Sequence, residues 1–470
     1  MSIKRITLAA CAAAASLASA SAFALSQNAI DPQNPGPNDL VIHYAGSTAQ
    51  EQAVRGLASD FCATTPDEYT NASGPTNLVL TCTLKSAAPV PAAIQGKNLY
   101  FSYYENGGSI YGVTPVIDQI SLNYMKVFGG TCSGTSPTFT CNNSDNGVGQ
   151  PPTADQYAHT PVAGGSDVEP ALFKGSNVAG LAFAAPQGSN YTALQAFNVI
   201  FALAVNCDIL DHSVYTGCTG AGGPIKSLSK TSVASIFDGT AVYWEQVPEY
   251  GQADDGSGHT LADDWAVYAT NPGHPIHVCR RKPGSGTQAS AEAYFLHQEC
   301  GGPARSFVTA ATAAIPGNVE EWESSTDILT KCEDVNANSI AISSIEKGPH
   351  ASWGNNWDYV NLNGVAPTLQ NAATGAYDYM FENSMQYNTA VANANQVAFL
   401  TAMFNAAKSA SSLAGKAGVL AIPDPSIGNN PGDQTDSNSD GKYIQFLASN
   451  PVAWDTRDGL ACKPEHLVFP

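Results

Sequence analysis

Apolar and polar positions along this chain alternate between the period of a strand and the period of a helix. A Pro- and Gly-rich stretch, Pro32 to Asn38 (PQNPGPN), reads as a linker, and the apolar run that follows predicts a first strand over Asp39 to Tyr44. Val54, Leu57 and Phe61 then recur at helical spacing, and Thr48-x-x-Glu51 ahead of them has the form of a capping box. Ser229 to Phe237 (SKTSVASIF) predicts a second helix, with Ser232 as candidate cap and Val233, Ile236 and Phe237 on its inner face. Pro275 to Cys279 predicts a strand that runs through a glycine turn into a helix over Gln288 to Leu296. Ile340 to Ile345 and Gly418 to Ile422 predict further strands. Residues 130–160 and Gly251 to Asp264 are polar excursions that read as surface insertions. Strands alternating with helices predict an α/β fold with largely parallel sheets. No internal repeat is visible.

Composition narrows the class. The chain has 470 residues, 43% hydrophobic and 13% charged, enough apolar matter for a sizeable core and a length that suggests two or three domains. Forty acidic side chains face 20 basic ones. With no basic stripe, nucleic acid is excluded as the main partner.

The N-terminus has the three-part layout of an export signal: Lys4 and Arg5, an apolar run from Ile6, and the small residues Ala22-Phe23-Ala24. Residues 1–24 therefore read as a leader cleaved near Ala24, and residues 25–38 as a linker. Leu8-Ala9-Ala10-Cys11 resembles a lipoprotein cleavage box, but it lies too close to Arg5 to leave a full apolar region, so Cys11 is assigned to the leader. Periplasmic or extracellular residence follows. Tyr191 to Val205 is the most apolar later run, but Gln195 and Asn198 interrupt it and it is too short to span a membrane. It reads as core.

Ten cysteines remain beyond the leader, an even number suited to disulfides in an exported protein. Pairing neighbours gives Cys62–Cys82, Cys132–Cys141, Cys207–Cys218 and Cys279–Cys300, leaving Cys332 with Cys462. Zinc is the competing use of these thiols, although no Cys-x-x-Cys occurs.

Three turns carry the candidate chemistry: Ala45-Gly46-Ser47-Thr48, Gly107-Gly108-Ser109 and Gly284-Ser285-Gly286-Thr287. Each leads from an expected strand towards an expected helix, where unpartnered backbone N–H groups and the helix dipole attract anions. Ordinary helix capping accounts for any one of them alone, and Glu51 would set a carboxylate in the first turn of its helix. Arg281, three residues before Gly284, adds a guanidinium suited to an oxyanion. Gly165-Ser166-Asp167 adds one carboxylate. Protonated phosphate can donate a hydrogen bond to it, whereas sulfate has no proton to give and would leave it unpaired.

In kind and order, these turns resemble those of periplasmic phosphate-binding proteins, the receptor components of phosphate ABC transporters, including the secreted DING-type group. Ser235 to Gly239 with Trp244, Ile276 to Thr287 (IHVCRRKPGSGT), Ile340 to Ser344 and Asn363 to Thr368 resemble further segments of that family. The resemblance implies a two-lobed, type II periplasmic-binding-protein fold. Lobe one would comprise residues 39–183 and 377–470, with lobe two over 184–376 between them. It also implies a monomer that binds inorganic phosphate, with an ABC transporter permease as a possible partner and no cofactor. Carried over by position, the ligand contacts are Thr48, Ala49, Ser109, Asp167, Arg281, Ser285, Gly286 and Thr287. Two departures stand out. Pro283 occupies the place of the aspartate that orients the family's arginine, which leaves Arg281 less restrained, and Ala49 stands where the family often has phenylalanine.

Two alternatives remain at this point: a secreted phosphatase or phosphoester hydrolase using the same pocket, and a structural or adhesive relative that binds no ligand. Asp436, Asn438 and Asp440 form a partial calcium loop, but Leu447 stands where such a loop needs its last acidic ligand.

Overall fold

The computed structural model describes residues 25, 27–71, 77–143, 150–173, 175–178, 181, 191–220, 222–251, 273–297, 305–348, 356–429, 446–457 and 466–467. The leader, Cys300, Cys462, most of Gly251 to Asp264 and the partial calcium loop lie outside these residues. No helix among the described residues is long and apolar enough to cross a membrane.

The fold is mixed α/β. Its strands include β1 (Asp39–Gly46), β2 (Asp67–Asn71), β3 (Asn77–Thr83), β4 (Asn98–Tyr104), β5 (Leu122–Met125), β6 (Cys132–Thr135), β7 (Thr138–Cys141), β8 (Gln156–His159), β9 (Ala163–Ser166), β10 (Tyr191–Asn206), β11 (His277–Arg281), β12 (Val319–Trp322), β13 (Ser339–Ser344), β14 (Trp357–Tyr359), β15 (Met380–Asn388) and β16 (Val419–Ala421). One hydrogen-bonded path runs β12-β11-β13-β10-β15-β9-β1-β4-β3-β2-β7-β6, with β14 and β16 also paired to β10. Parallel pairs form the centre of each half: β4-β1-β9 in one, β12-β11-β13 in the other. The sheet is not largely parallel, because β10 and β15 run against their neighbours and β2, β3 and β4 form a meander.

β10 is what joins the halves. Its first part pairs with β15, and its last residues, Phe201 to Asn206, pair with β13 and β14. The ladder to β15 shifts register between Gln195 and Asn198. There the side-chain oxygen of Asn383 accepts from the Ala196 and Phe197 amides at 3.3 and 2.8 Å, so the irregularity is held by one amide group. Gln195 and Asn198, which interrupt the apolar run, mark this shift.

Four helices frame the site and its supports: α1 (Glu51–Ser59), α2 (Lys230–Phe237), α3 (Gly286–Leu296) and α4 (Ala394–Lys408). α1 buries Ala53, Val54, Leu57 and Ala58, and Phe61 just beyond it packs at a tilt against Phe399 of α4 with centroids 5.4 Å apart. Gln396 of α4 also donates to the Val41 carbonyl at 2.8 Å, so the later chain packs on β1. The expected capping box does not form. Ser47 caps a short 3-10 turn (Thr48–Gln50), and the residue preceding α1, Gln50, caps nothing. On α2 the cap is Ser229, which accepts from the Ser232 amide at 3.2 Å, rather than Ser232 itself.

Three expected disulfides are present: Cys62–Cys82, Cys132–Cys141 and Cys207–Cys218. The other two expected pairs are overturned, because Cys279 joins Cys332 across 53 residues. Cys279 lies on β11 and Cys332 on the short helical segment Ile328–Glu333 ahead of β13, the parallel neighbour of β11, and both sit in one buried cluster with Ile328, Leu329 and Ala341. A strand crossover brings distant cysteines together where sequence adjacency does not.

Candidate functional site

Four strand ends meet where the two halves touch. β1 ends at Gly46, β4 leads into Gly107-Gly108-Ser109, β9 ends one residue before Asp167, and β11 ends at Arg281 before α3. Gly108 sits at φ 79°, and a Cβ there would lie 2.9 Å from the Ser285 Cα; the two glycine turns are in backbone contact. The Ile110 amide donates to the Gly284 carbonyl at 3.0 Å. Asn177 fastens the same turn, its side-chain oxygen accepting from the Gly284 amide at 2.9 Å and its side-chain amide donating to the Ser285 carbonyl at 3.3 Å.

Asp167 is the hub. It is buried, and its carboxylate accepts from the Ser47 hydroxyl and, at 3.1 Å, from the Ser109 hydroxyl. Burial lifts its pKa to about 6, against the opposing pull of the Ser47 bond and the Arg281 charge. Gly286 lies against the same group: a Cβ on it would stand 2.3 Å from the Ser109 oxygen and 2.9 Å from the Asp167 Cβ. An oxyanion entering between these side chains has to part the turns by the width of the ion.

Arg281 is fully buried beside them. Its Nη1 donates to the Ser325 hydroxyl at 2.9 Å and the Thr287 hydroxyl at 3.4 Å, and its Nη2 donates to the Glu323 carbonyl at 2.5 Å. Its Nε finds no partner. Burial brings its pKa down to about 10, while Asp167, Glu323 and Asp327 oppose the shift; it stays charged at neutral pH. The expected looseness at Pro283 is therefore not seen. The Glu323 carbonyl and Ser325 hydroxyl restrain the guanidinium in place of an aspartate, and Lys282 pairs with the Glu323 side chain beside them.

Of the eight residues expected here, Ser109, Asp167, Arg281, Gly286 and Thr287 converge through these contacts. Ser285 belongs to the same turn, where its hydroxyl caps α3 by accepting from the Gln288 amide at 3.2 Å. Thr48 and Ala49 are buried in the first turn, but it is their neighbour Ser47 that reaches Asp167. Sequence reasoning assigned roles to Thr48 and Ala49 and gave Ser47 none, although its hydroxyl lies in the same turn. Asn177, Glu323 and Ser325 left no local signal, since they reach the site from other segments of the chain.

Glu51 does not face Asp167. Its carboxylate pairs with Arg55 at 3.2 Å and lies 4.0 Å from Lys347 Nζ. Lys347 is buried beside Glu346 at 3.3 Å. Burial opposes its charge, but Glu346, Glu51 and Glu105 outweigh that and raise its pKa. Burial lifts Glu346 to about 8. As for metals, two described clusters have suitable spacing, Cys207-His212-Cys218 and His277-Cys279-Cys332, but in each both thiols are joined in a disulfide.

No family model matches the chain, and no curated protein matches it. Among solved structures it resembles a putative phosphate ABC transporter substrate-binding protein with bound phosphate from Clostridium perfringens, at 12% identity and a TM-score of 0.44, covering 81% of this chain and 98% of that one. It also resembles a DING protein at 13% identity and a TM-score of 0.43, covering 80% of this chain and 90% of that one. A phosphate-binding protein from Stenotrophomonas maltophilia resembles it at 13% identity and a TM-score of 0.39, covering 77% of this chain and 83% of that one. Scores this low align no individual side chain, so the site stands on its own geometry.

Proposed function

We propose that this protein is an exported, non-catalytic receptor that captures phosphate between its two halves. One observation carries the reading: a fully buried arginine with an unpartnered Nε lies beside the N-terminus of α3, at a place where three hydroxyl-bearing turns surround a single carboxylate. Hydroxyls, backbone N–H groups and a guanidinium supply donors to an oxyanion, and the α3 dipole favours negative charge.

Asp167 is the acceptor that gives the site its selectivity. Above pH 6 it is ionised and accepts a hydrogen bond from a phosphate that still carries a proton. Sulfate offers no such proton, so two anions would face each other in a buried place. The disulfides suit an oxidising compartment, in keeping with the export signal read from the sequence, and delivery to a membrane permease is the transport role this reading assigns.

Calorimetric titration at pH 7.5 tests the proposal. Inorganic phosphate should bind with one-to-one stoichiometry and sulfate should give no heat; an absence of phosphate binding overturns it. Incubation with a generic phosphoester separates capture from hydrolysis: recovery of intact ester supports a receptor, and steady release of phosphate, lost on Ser285→Ala, supports a hydrolase.

A further inference from the structure

Ser47 has no polar atom to spare. Its amide donates to the Gly165 carbonyl at 3.2 Å, and its carbonyl accepts from the Tyr103 hydroxyl. Its hydroxyl accepts from the Ala49 amide at 3.0 Å and donates to Oδ1 of Asp167. A serine hydroxyl has one proton, so this one is committed to the carboxylate. The whole residue is buried. Ser109 is placed differently. Among the described residues its hydroxyl bonds Asp167 only, donating to Oδ2 at 3.1 Å and accepting from the Asp167 amide at 3.3 Å. Nothing outside Asp167 ties that hydroxyl down, so it can turn to an arriving anion and leave Oδ2 open to the anion's proton.

We propose that Ser47 is the positioning residue that sets the specificity of this site: it stays on Oδ1 without touching the ligand and keeps Asp167 a charged acceptor, whose Oδ2 receives a proton from phosphate and repels sulfate. The proposal rests on the phosphate reading and names what governs selectivity at the same site. A hydrogen bond donated to a carboxylate favours its ionised form. The Ser47 bond is the largest of the influences that hold Asp167 down against burial, ahead of Arg281 on β11 and of Ser109. The buried phenols Tyr44 on β1 and Tyr103 on β4, and the Glu346 carboxyl beyond β13, complete the titratable groups that act on it. Loss of one hydroxyl leaves all of these in place. Without Ser47, Asp167 keeps its proton to a higher pH, and as a neutral acid it donates to sulfate as well as to phosphate.

Two titrations of the intact protein test this. In ligand-free protein labelled with carbon-13 aspartate, the Asp167 carboxyl resonance is identified by its loss in Asp167→Asn. Its midpoint should lie at about 6 in wild type, rise by about one pH unit in Ser47→Ala and return in Ser47→Thr, which keeps the hydroxyl. Competition calorimetry with sulfate and inorganic phosphate reads the consequence. At pH 8, Ser47→Ala should bind sulfate about tenfold more tightly than wild type, because about ten times more of it is protonated, while phosphate moves less than threefold. If wild type binds phosphate, the proposal is overturned by an Asp167 midpoint that Ser47→Ala leaves unmoved, or by a variant that weakens both anions alike, as a merely structural role would. If wild type binds no phosphate, the phosphate reading falls and takes this role with it, even where the carboxyl midpoint still shifts. Should Ser47→Thr fail to fold, the alanine variant decides.

Discussion

Replacing Asp167 by asparagine separates the cost of its charge from the worth of its hydrogen bonds. The fold lifts this acid from 3.8 to about 6, so the folded protein favours the neutral form. That preference stabilises fully below the unfolded value and is lost as pH rises through 6. A shift of about two units corresponds to roughly 3 kcal/mol between the two limits. Asparagine has no such dependence, but its NH₂ cannot accept a hydrogen bond from Ser47 or Ser109, which costs about 1 kcal/mol at every pH. Asp167→Asn should therefore be less stable than wild type by about 1 kcal/mol near pH 3 and more stable by about 2 kcal/mol above pH 7, with a crossover between. At roughly 2 cal/mol/K of unfolding entropy per residue, a chain of this length shifts its Tm by about 1 °C per kcal/mol. Differential scanning calorimetry of the two ligand-free proteins from pH 4 to pH 8 should show the Tm difference change sign. A difference that stays constant with pH would mean that Asp167 is not held in a charge-averse place, and the selectivity argument would fail with it.

The same variant should lose the preference for phosphate over sulfate, and wild type should begin to accept sulfate as pH drops below 6, where protonated Asp167 becomes a donor; competition titrations at pH 5 and pH 8 read this directly. Arg281→Lys keeps the charge but forfeits the forked contacts to Thr287, Ser325 and the Glu323 carbonyl. It should weaken phosphate binding by a factor of about 100, given 1.5–3 kcal/mol for a charged hydrogen bond, as measured by calorimetry. Gly286→Ala puts a methyl 2.3 Å from the Ser109 oxygen. It should hold the glycine turns apart, weaken binding at least tenfold and raise the radius of gyration in small-angle scattering. Peptide mapping without reduction should recover a Cys279–Cys332 cross-link, and Cys332→Ser with Cys279→Ser should cost about 4 kcal/mol from the loop entropy released over 53 residues.

How far the sequence foretold this site depended on how locally each part is encoded. A glycine turn between a strand and a helix is written in consecutive residues, so the turns at Gly107-Gly108-Ser109 and Gly284 to Thr287 were legible, as was Arg281 at the end of its strand. β1, β11, β13, β16 and both early helices also follow from short-range periodicity, to within a few residues at their ends. What holds these parts together is encoded at long range. Ser325 reaches Arg281 across 44 positions and Asn177 reaches Gly284 across 107, separations over which no periodicity or motif carries information. The capping box failed beside it: Ser47 caps the short turn ahead of α1, and its hydroxyl also bonds Asp167, a partner 120 residues away. Neighbour pairing of cysteines succeeded inside hairpins and short loops and broke down at Cys279, where a crossover connection intervenes.

The register shift in β10 bears on how this molecule would move. β10 and β15 are hydrogen-bonded to each other and β10 pairs with β16 beside them, so separation of the halves would be absorbed as bending of a paired sheet rather than as rotation about a loose loop. At Ala196 and Phe197 the ladder to β15 gives way to bonds with the Asn383 side chain, while Phe197 also pairs with Ala421 of β16. The Asn383 amide and the β16 pairing together oppose bending at this point. Affinity in such a molecule becomes adjustable by a side chain that never meets the ligand.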